Sequence, residues 1–244
     1  MRILQIAYYY PPMGGAGVQR ALKFSKYLPE FGVQPVVLAA LDPHYVHDAS
    51  LAAEVPAGLA VHRVEDTPLL ARLAARRRTS ASGGAAAAPS RWRTVLRDTV
   101  LATWHALQYP DDKARWARRA LREARAILRD QSSRGEPIEL IFTSSPPASA
   151  HWIGERLSRE FGLPWVADFR DLWTDNPAYA APAWRRALDR RLEQRWFDRA
   201  SGVVTVTESW QRLLAARRGA EAPVVFIPNG YAEADFQGLS LPAR

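Results

Sequence analysis

Tyr8-Tyr9-Tyr10-Pro11-Pro12-Met13-Gly14-Gly15-Ala16-Gly17 is the stretch that decides the fold. Ahead of it, Ile3, Leu4, Ile6 and Ala7 form a short apolar run that reads as a buried strand. Behind it, Val18, Ala21, Leu22, Ser25 and Leu28 recur at three and four, as one face of a helix does. Glycines 14, 15 and 17 let the backbone turn with positive φ and approach a ligand closely. The first-turn N–H groups of a helix have no internal acceptors, so this junction is an anion site by construction. Arg20, one turn further, is expected to add a fixed positive charge. The stretch therefore reads as a phosphate or acceptor loop at the mouth of an α/β fold. The alternative is a strand-to-helix turn that holds no ligand. Neither common nucleotide fingerprint fits. Gly15-Ala16-Gly17-Val18-Gln19-Arg20 puts arginine where the third glycine of a dinucleotide loop belongs, and no Lys-Ser or Lys-Thr follows Gly17 as a Walker loop requires.

A chain of 244 residues buries one good core and allows one or two domains. With no cysteine, disulfides, thiolate chemistry and cysteine-based zinc sites are excluded. No basic segment followed by a long apolar stretch opens the sequence, so no signal peptide is expected. The apolar-rich run from Thr99 to Pro110 is too short to span a bilayer. The expected location is cytoplasmic. The net charge of +8 comes almost wholly from arginine. It suits nucleic acid or an anionic membrane surface, or else reflects genomic base composition.

Along the chain, strand and helix patterns alternate. Gly32 ends the first helix, and strands are expected at Pro35–Ala39 and Val61–Val64. His44 and His47 stand at a metal-like spacing without a third ligand, and read as part of a solvated loop. Leu69, Leu70 and Leu73 start a helix, and the Ser, Gly and Ala stretch at 79–90 reads as a flexible surface insertion. Trp92, Val95, Leu96, Thr99, Val100, Thr103, Trp104 and Leu107 form a helical stripe flanked by Arg91, Arg93 and Arg97. That stripe faces either a core or a membrane interface. Asp112 is expected to cap a helix containing Trp116 and Leu121. Ile138–Phe142 is a fourth strand, followed by the Thr143-Ser144-Ser145-Pro146-Pro147 turn and a helix ended by Gly162. Pro164–Ala167 is a fifth strand that delivers Asp168-Phe169-Arg170-Asp171-Leu172-Trp173. Trp184, Leu188, Leu192 and Trp196 make another helix. Val203–Val206 and Val224–Ile227 are the last two strands, with a helix at 208–217 between them. This order implies an α/β, Rossmann-like, mainly parallel sheet of about seven strands with helices on both faces. Ligands of such sheets bind beyond the carboxyl ends of the strands, where the glycine loop, Ser144-Ser145, the 168–173 run and Thr207-Glu208 all fall.

These stretches, in order, resemble the N-terminal half of a family-4 glycosyltransferase of the GT-B architecture. The resemblance rests on YYYPPMGGAGVQR at 8–20, PDDKARW at 110–116, FTSSPPASAHWIG at 142–154, ADFRDLW at 167–173, TVTE at 205–208 and IPNG at 227–230. It implies two Rossmann-like domains facing across a cleft. The N-terminal one, here residues 1–230, receives a glycan or lipid-linked acceptor. The C-terminal one holds the nucleotide-sugar donor, and residues 231–244 are expected to begin the linker toward it. The sequence stops about where the donor domain is expected to start, and no two glutamates stand eight positions apart as the family's donor-contacting pair does. The resemblance thus implies a fragment or one half of a split enzyme, inactive alone. Many relatives carry a histidine in the loop after the fourth strand; here Thr143, Ser144 and Ser145 stand there.

Glycosyl transfer must hold an acceptor hydroxyl, find a sink for its proton and stabilise a leaving diphosphate. Asp168 and Asp171 are the candidate catalytic residues, orienting or partly deprotonating the hydroxyl. Gly14, Gly15, Gly17, Arg20, Ser144, Ser145, Arg170, Trp173 and Glu208 are the candidate substrate-binding residues. Arg170 pairs either with an acceptor phosphate or with the two aspartates. The resemblance implies retention of anomeric configuration, with the proton passing to the donor phosphate; no metal or other cofactor is expected. Two other functions remain open. One is a non-catalytic acceptor-binding or membrane-docking subunit, peripheral at the inner face of the plasma membrane. The other is a nucleic-acid binder, which charge alone suggests and no recognised motif supports.

Overall fold

The computed structural model describes residues 1–66, 108–219 and 223–231. The helix expected from Leu69, the insertion at 79–90, the stripe from Arg91 to Leu107 and the segment 232–244 lie outside the described residues. The elements are β1 (Arg2–Ala7), α1 (Ala16–Tyr27), β2 (Gln34–Leu41), α2 (Ala49–Ala53), β3 (Val61–Glu65), α3 (Ala114–Ser133), β4 (Leu140–Ser145), α4 (Ser149–Phe161), β5 (Trp165–Phe169), α5 (Ala183–Arg199), β6 (Gly202–Thr205), α6 (Glu208–Arg218) and β7 (Val224–Phe226). All seven strands join one parallel sheet in the order β3-β2-β1-β4-β5-β6-β7. The order reverses between β1 and β4, which makes their carboxyl ends the switch-point crevice of a doubly wound fold.

Side-chain alternation assigns the two faces. Phe142 meets Phe24 of α1 edge-on at 5.5 Å, and Gln5 donates to the Ala21 carbonyl at 2.7 Å. Thr143, the next residue on β4, instead bonds His151 of α4. So α1 covers one face and α4 the other, as strands of period two require. Strand β1, nearly all buried, is the middle of the core, and among the described residues Trp116, Trp165 and Trp196 are the largest fully buried side chains. Helix α1 ends at Tyr27 and passes into a 3-10 turn, Leu28–Phe31, which Gly32 closes in the left-handed conformation at φ 73°, as Gly162 closes α4 at φ 68°.

Two local expectations need correction, and two further features were not anticipated. Strand β4 begins at Leu140 and runs on through Thr143, Ser144 and Ser145, and β5 continues through Asp168 and Phe169. Their polar side chains hydrogen-bond one another within the sheet edge, so they are strand and not turn. Asp112 does not cap α3, whose N-cap is Lys113 without a side-chain bond. Asp111 is the organising carboxylate, accepting from Lys113 N at 2.9 Å and Ser149 N at 2.7 Å. The face of α5 is also rotated at its start. Trp184 and Leu188 are 59% and 41% exposed, while Arg185 and Asp189 are buried. Arg185 Nε donates to Asp189 Oδ2 at 2.7 Å and its Nη2 to the Gln108 carbonyl at 3.1 Å, so a hydrogen-bonded ion pair faces inward. Finally, α2 was not expected; Asp48 caps it by accepting from Ser50 N and Leu51 N.

Candidate functional site

The register sets Ala7, Ser144 and Asp168 side by side on β1, β4 and β5. Asp168 points to the α1 face and is wholly buried. Arg20 Nη2 donates to its Oδ1 at 2.9 Å and Nε to its Oδ2 at 3.0 Å, while Ser144 Oγ donates to Oδ2 at 2.8 Å. The third nitrogen of Arg20, Nη1, reaches the Ile227 carbonyl at 3.0 Å and Asn229 Oδ1 at 3.2 Å. Arg20 is therefore a buried tie between α1, β5 and the chain after β7, and not a charge presented to solvent. It, and not Arg170, is the partner of Asp168.

Arg170 takes the position at the helix terminus instead. Its Nη1 donates to the Gly17 carbonyl, and its Nε lies 3.9 Å from Asp171 Oδ2. Arg170 lies against the first turn of α1, where a Cβ at Gly17 would make an ordinary 3.6 Å contact with the guanidinium. That helix has no side-chain cap. Its dipole and Arg170 thus add to one positive region at the crevice. Gly15, the N-cap, has φ 90° and ψ 168°, a region open almost only to glycine. Gly14 is packed away: its N–H donates to the Val46 carbonyl at 2.8 Å, and a Cβ there would meet Asp48 Cβ at 3.1 Å.

The three tyrosines have separate places. Tyr8 donates to Asp66 Oδ2 at 2.8 Å, and burial with that carboxylate pushes its pKa far up. Tyr10 shares a hydrogen bond with Ser25. Tyr9 is half-buried beside Gly17, with its pKa pushed up to about 12, chiefly by burial.

Phe169, the residue after Asp168, points to the opposite face, where Ser145, Pro146, Ala148, His151, Asp171, Leu172 and Trp173 complete a cavity of about 50 Å³. Trp173 is fixed by stacking on Trp196, ring centres 5.2 Å apart. Of the residues expected at the site, Ser145, Asp171 and Trp173 line this cavity. Arg170 and Gly17 lie at the helix terminus, and Ser144, Arg20 and Asp168 form the buried network beneath. Glu208 stands apart, exposed on α6 and paired with Arg212 at 3.7 Å.

Sequence reasoning missed His151. Its Nδ1 is 2.8 Å from Thr143 Oγ1, which also accepts from Trp165 Nε1 at 2.8 Å. The indole only donates, and the Thr143 hydroxyl keeps both a proton and a second lone pair with which to meet Nδ1. Burial pushes the His151 pKa down to about 3, so the ring is neutral. The signal was present in the helical period: residue 151 is two places into α4, and Thr143 faces that helix. A histidine therefore reaches the end of β4 from the helix and not from the loop. Among the described residues, no group of three His, Asp or Glu is placed to hold a metal ion.

Residues 14–230 match the glycosyl transferase 4-like domain. The chain belongs to that family. No curated protein gives a match. Among solved structures, this family member is similar to sucrose-phosphate synthase from Thermosynechococcus elongatus, at TM-score 0.50 and 15% identity, over 94% of this chain and 48% of that one. It is also similar to a UDP-glucosyltransferase from Polygonum tinctorium, at TM-score 0.52 and 10% identity, over 99% and 55%. At such identities the likeness is one of fold, and the chain spans about half the length of each. The glycosyl transferase 4-like domain is thus a seven-stranded parallel Rossmann-like unit of the GT-B type. No helix among the described residues is long and apolar enough to cross a membrane.

Proposed function

We propose that the chain is the acceptor side of a retaining glycosyltransferase, moving a hexosyl group from a nucleotide sugar to a lipid-linked or cell-surface polysaccharide acceptor. The observation that carries this reading is Arg170 seated on Gly17 at the uncapped start of α1, in the switch-point crevice. Two sources of positive charge there suit a leaving diphosphate that a facing donor-side unit would deliver. Asp171 orients the acceptor hydroxyl, and the proton passes to the donor phosphate. Asp168 acts at one remove, through Arg20 and Ser144, as a positioning residue. The reading asks for no metal, because α1 and Arg170 meet the charge of the leaving group. Its cytoplasmic, membrane-peripheral location is supported by Arg91, Arg93 and Arg97 in the sequence.

The test is transfer of labelled sugar from a panel of nucleotide sugars to polyprenyl-phosphate-linked glycans, with the chain assembled with a donor-side unit. Arg170→Ala is expected to lower kcat by about 10²-fold, as loss of one transition-state donor does, with KM for the acceptor little changed. Undiminished kcat in that variant would remove α1 and Arg170 from the mechanism.

A further inference from the structure

Helices α3, α4 and α5 pack in that order on one face of the sheet. Phe197 of α5 meets Phe169 there at 4.9 Å, and Trp116 of α3 meets Tyr8 at 5.0 Å. Both α3 and α5 run back from the crevice edge, as crossover helices of a parallel sheet do. Helix α3 carries six arginines against Glu123 and Asp130, and α5 carries six against Asp189, Glu193 and Asp198. Arg125 and Arg129 lie on Glu160, and Arg195 and Arg199 on Glu155. Arg115, Arg118, Arg122, Arg159, Arg186 and Arg191 are exposed and have no carboxylate partner among the described residues. Burial, joined by the repulsion of Arg195, Arg159 and Arg125, lowers the pKa of Arg156 on α4, so one basic field spans the three helices. One stripe of α5, at three- and four-residue spacing, runs Trp184, Leu188, Arg191 and Arg195. Trp184 and Leu188 are 59% and 41% exposed. Exposed Ala178, Ala180, Pro182 and Ala183 extend that apolar surface along the loop before the helix. The loop is fixed: Ala178 N donates to Asn176 Oδ1 at 2.9 Å, and the Tyr179 hydroxyl donates to Asp189.

We propose that this face docks on an anionic membrane surface, with Trp184 and Leu188 seated at the lipid interface and the arginines on the headgroup phosphates. An exposed tryptophan suits that boundary, since its ring is apolar and its N–H finds an acceptor among the headgroups. Each unpaired arginine gains from an anionic leaflet within a Debye length of it. A nucleic acid matches the arginines alone, and leaves Leu188 and the alanine and proline loop against a charged backbone. A bilayer surface takes both. The purpose of the contact rests on the acceptor-side reading above. The apolar start of α5 lies at the crevice edge, so a docked domain holds its crevice at the lipid surface, where a lipid-linked acceptor presents its headgroup. The contact is made by the described helices, independently of Arg91, Arg93 and Arg97.

The test is sedimentation of the chain with vesicles of phosphatidylcholine, alone or mixed equally with phosphatidylglycerol. Binding is expected with the anionic vesicles, and it should weaken as salt is raised. Arg118→Glu, Arg122→Glu and Arg191→Glu together should lower vesicle affinity by about 10²-fold or more, at about fivefold for each arginine near the surface. These side chains are exposed and hold no carboxylate, so the fold should survive, which circular dichroism checks. Trp184→Ala should lower affinity about tenfold and remove most of the quenching of tryptophan fluorescence by brominated lipid. That variant keeps the test decisive if the triple variant does not fold. Arg91→Gln, Arg93→Gln and Arg97→Gln together should leave the quenching of Trp184 in place. The proposal is overturned by unchanged affinity in the glutamate variant, by quenching that persists without Trp184, or by loss of all binding in the glutamine variant. Absence of binding to anionic vesicles overturns it too, and duplex DNA bound in their place makes the face a nucleic-acid surface. Because transfer is not measured, these outcomes are separate from the fate of the transferase reading.

Discussion

Arg20 and Asp168 form a forked ion pair, Nη2 to Oδ1 at 2.9 Å and Nε to Oδ2 at 3.0 Å, with side chains only 5% and 0% exposed. Ser144 takes up a further lone pair, and the chain after β7 accepts from the remaining Arg20 nitrogen. Removing either partner leaves the other buried and uncompensated. Asp168→Ala and Arg20→Ala are each expected to cost about 3–5 kcal/mol in urea unfolding. The double variant Arg20→Met, Asp168→Leu should cost much less than the sum of the two. Additive losses would show that the pair does not act as a unit.

Gly154 lies inside α4, where alanine ordinarily stabilises by about 1 kcal/mol. Here a Cβ would stand 2.5 Å from Trp165 Nε1 and 2.6 Å from Thr143 Cγ2. Gly154→Ala is therefore expected to destabilise by about 1–3 kcal/mol and to loosen the Thr143–His151 bond. Thermal unfolding and the His151 ring resonances report the two effects.

His151 carries a pH signature. Its folded pKa is depressed to about 3, from 6.5. The unfolded chain therefore binds the proton first. The stability due to the neutral ring is fully present above about 6.5 and is lost as pH falls toward about 3. Its slope approaches about 1.4 kcal/mol per pH unit. His151→Phe should flatten urea-unfolding free energies between pH 6 and 4 by that slope.

Asp111 has the opposite sign. Burial raises its carboxyl to about 6, from 3.8, against the lowering hydrogen bonds of Ser149 and Lys113. Its contribution is fully present below about 3.8 and is lost as pH rises through about 6. The stability of wild type relative to Asp111→Asn should decline over that window. A carboxyl carbon titration by NMR gives the pKa directly.

Gly15 and Gly17 should separate under substitution. Gly15→Ala forces φ 90° on an L residue and is expected to cost about 1–3 kcal/mol, although nothing lies within 4 Å of the added carbon. At Gly17 the added carbon makes ordinary contacts with Arg170 and Tyr9, the nearest at 3.6 Å. Gly17→Ala should stay within about 1 kcal/mol of wild type. Differential scanning calorimetry of the pair decides it.

The parallel sheet was legible because apolar runs such as Val36–Ala40 and Ile3–Ala7 admit no other reading once helical periods fall between them. Family membership was legible in the order of the motifs. The site was harder to read, because polar residues do two opposite things there. Ser144 and Asp168 look like loop residues in one dimension, yet they hydrogen-bond each other inside the sheet edge. Arg20 looks like a ligand-facing charge three residues past a glycine turn, but its partner is 148 positions away. The same limit applies to α5, where Arg185 and Asp189 pair with one another and take the inner face in place of Trp184 and Leu188. His151 was overlooked because a histidine two residues into a helix looks like surface until Thr143 is known to face it.

The placement of β1 bears on how the chain is made. It is made before β2 and β4, yet it belongs between them, and β4 appears only at residue 140. Arg20 has no carboxylate until residue 168 is synthesised, and its carbonyl acceptor at residue 227 arrives later still. A nascent chain therefore holds its glycine turn and first helix against an unfinished surface until residue 168 has been made. Closure of the crevice waits on the synthesis of residues 168 and 227.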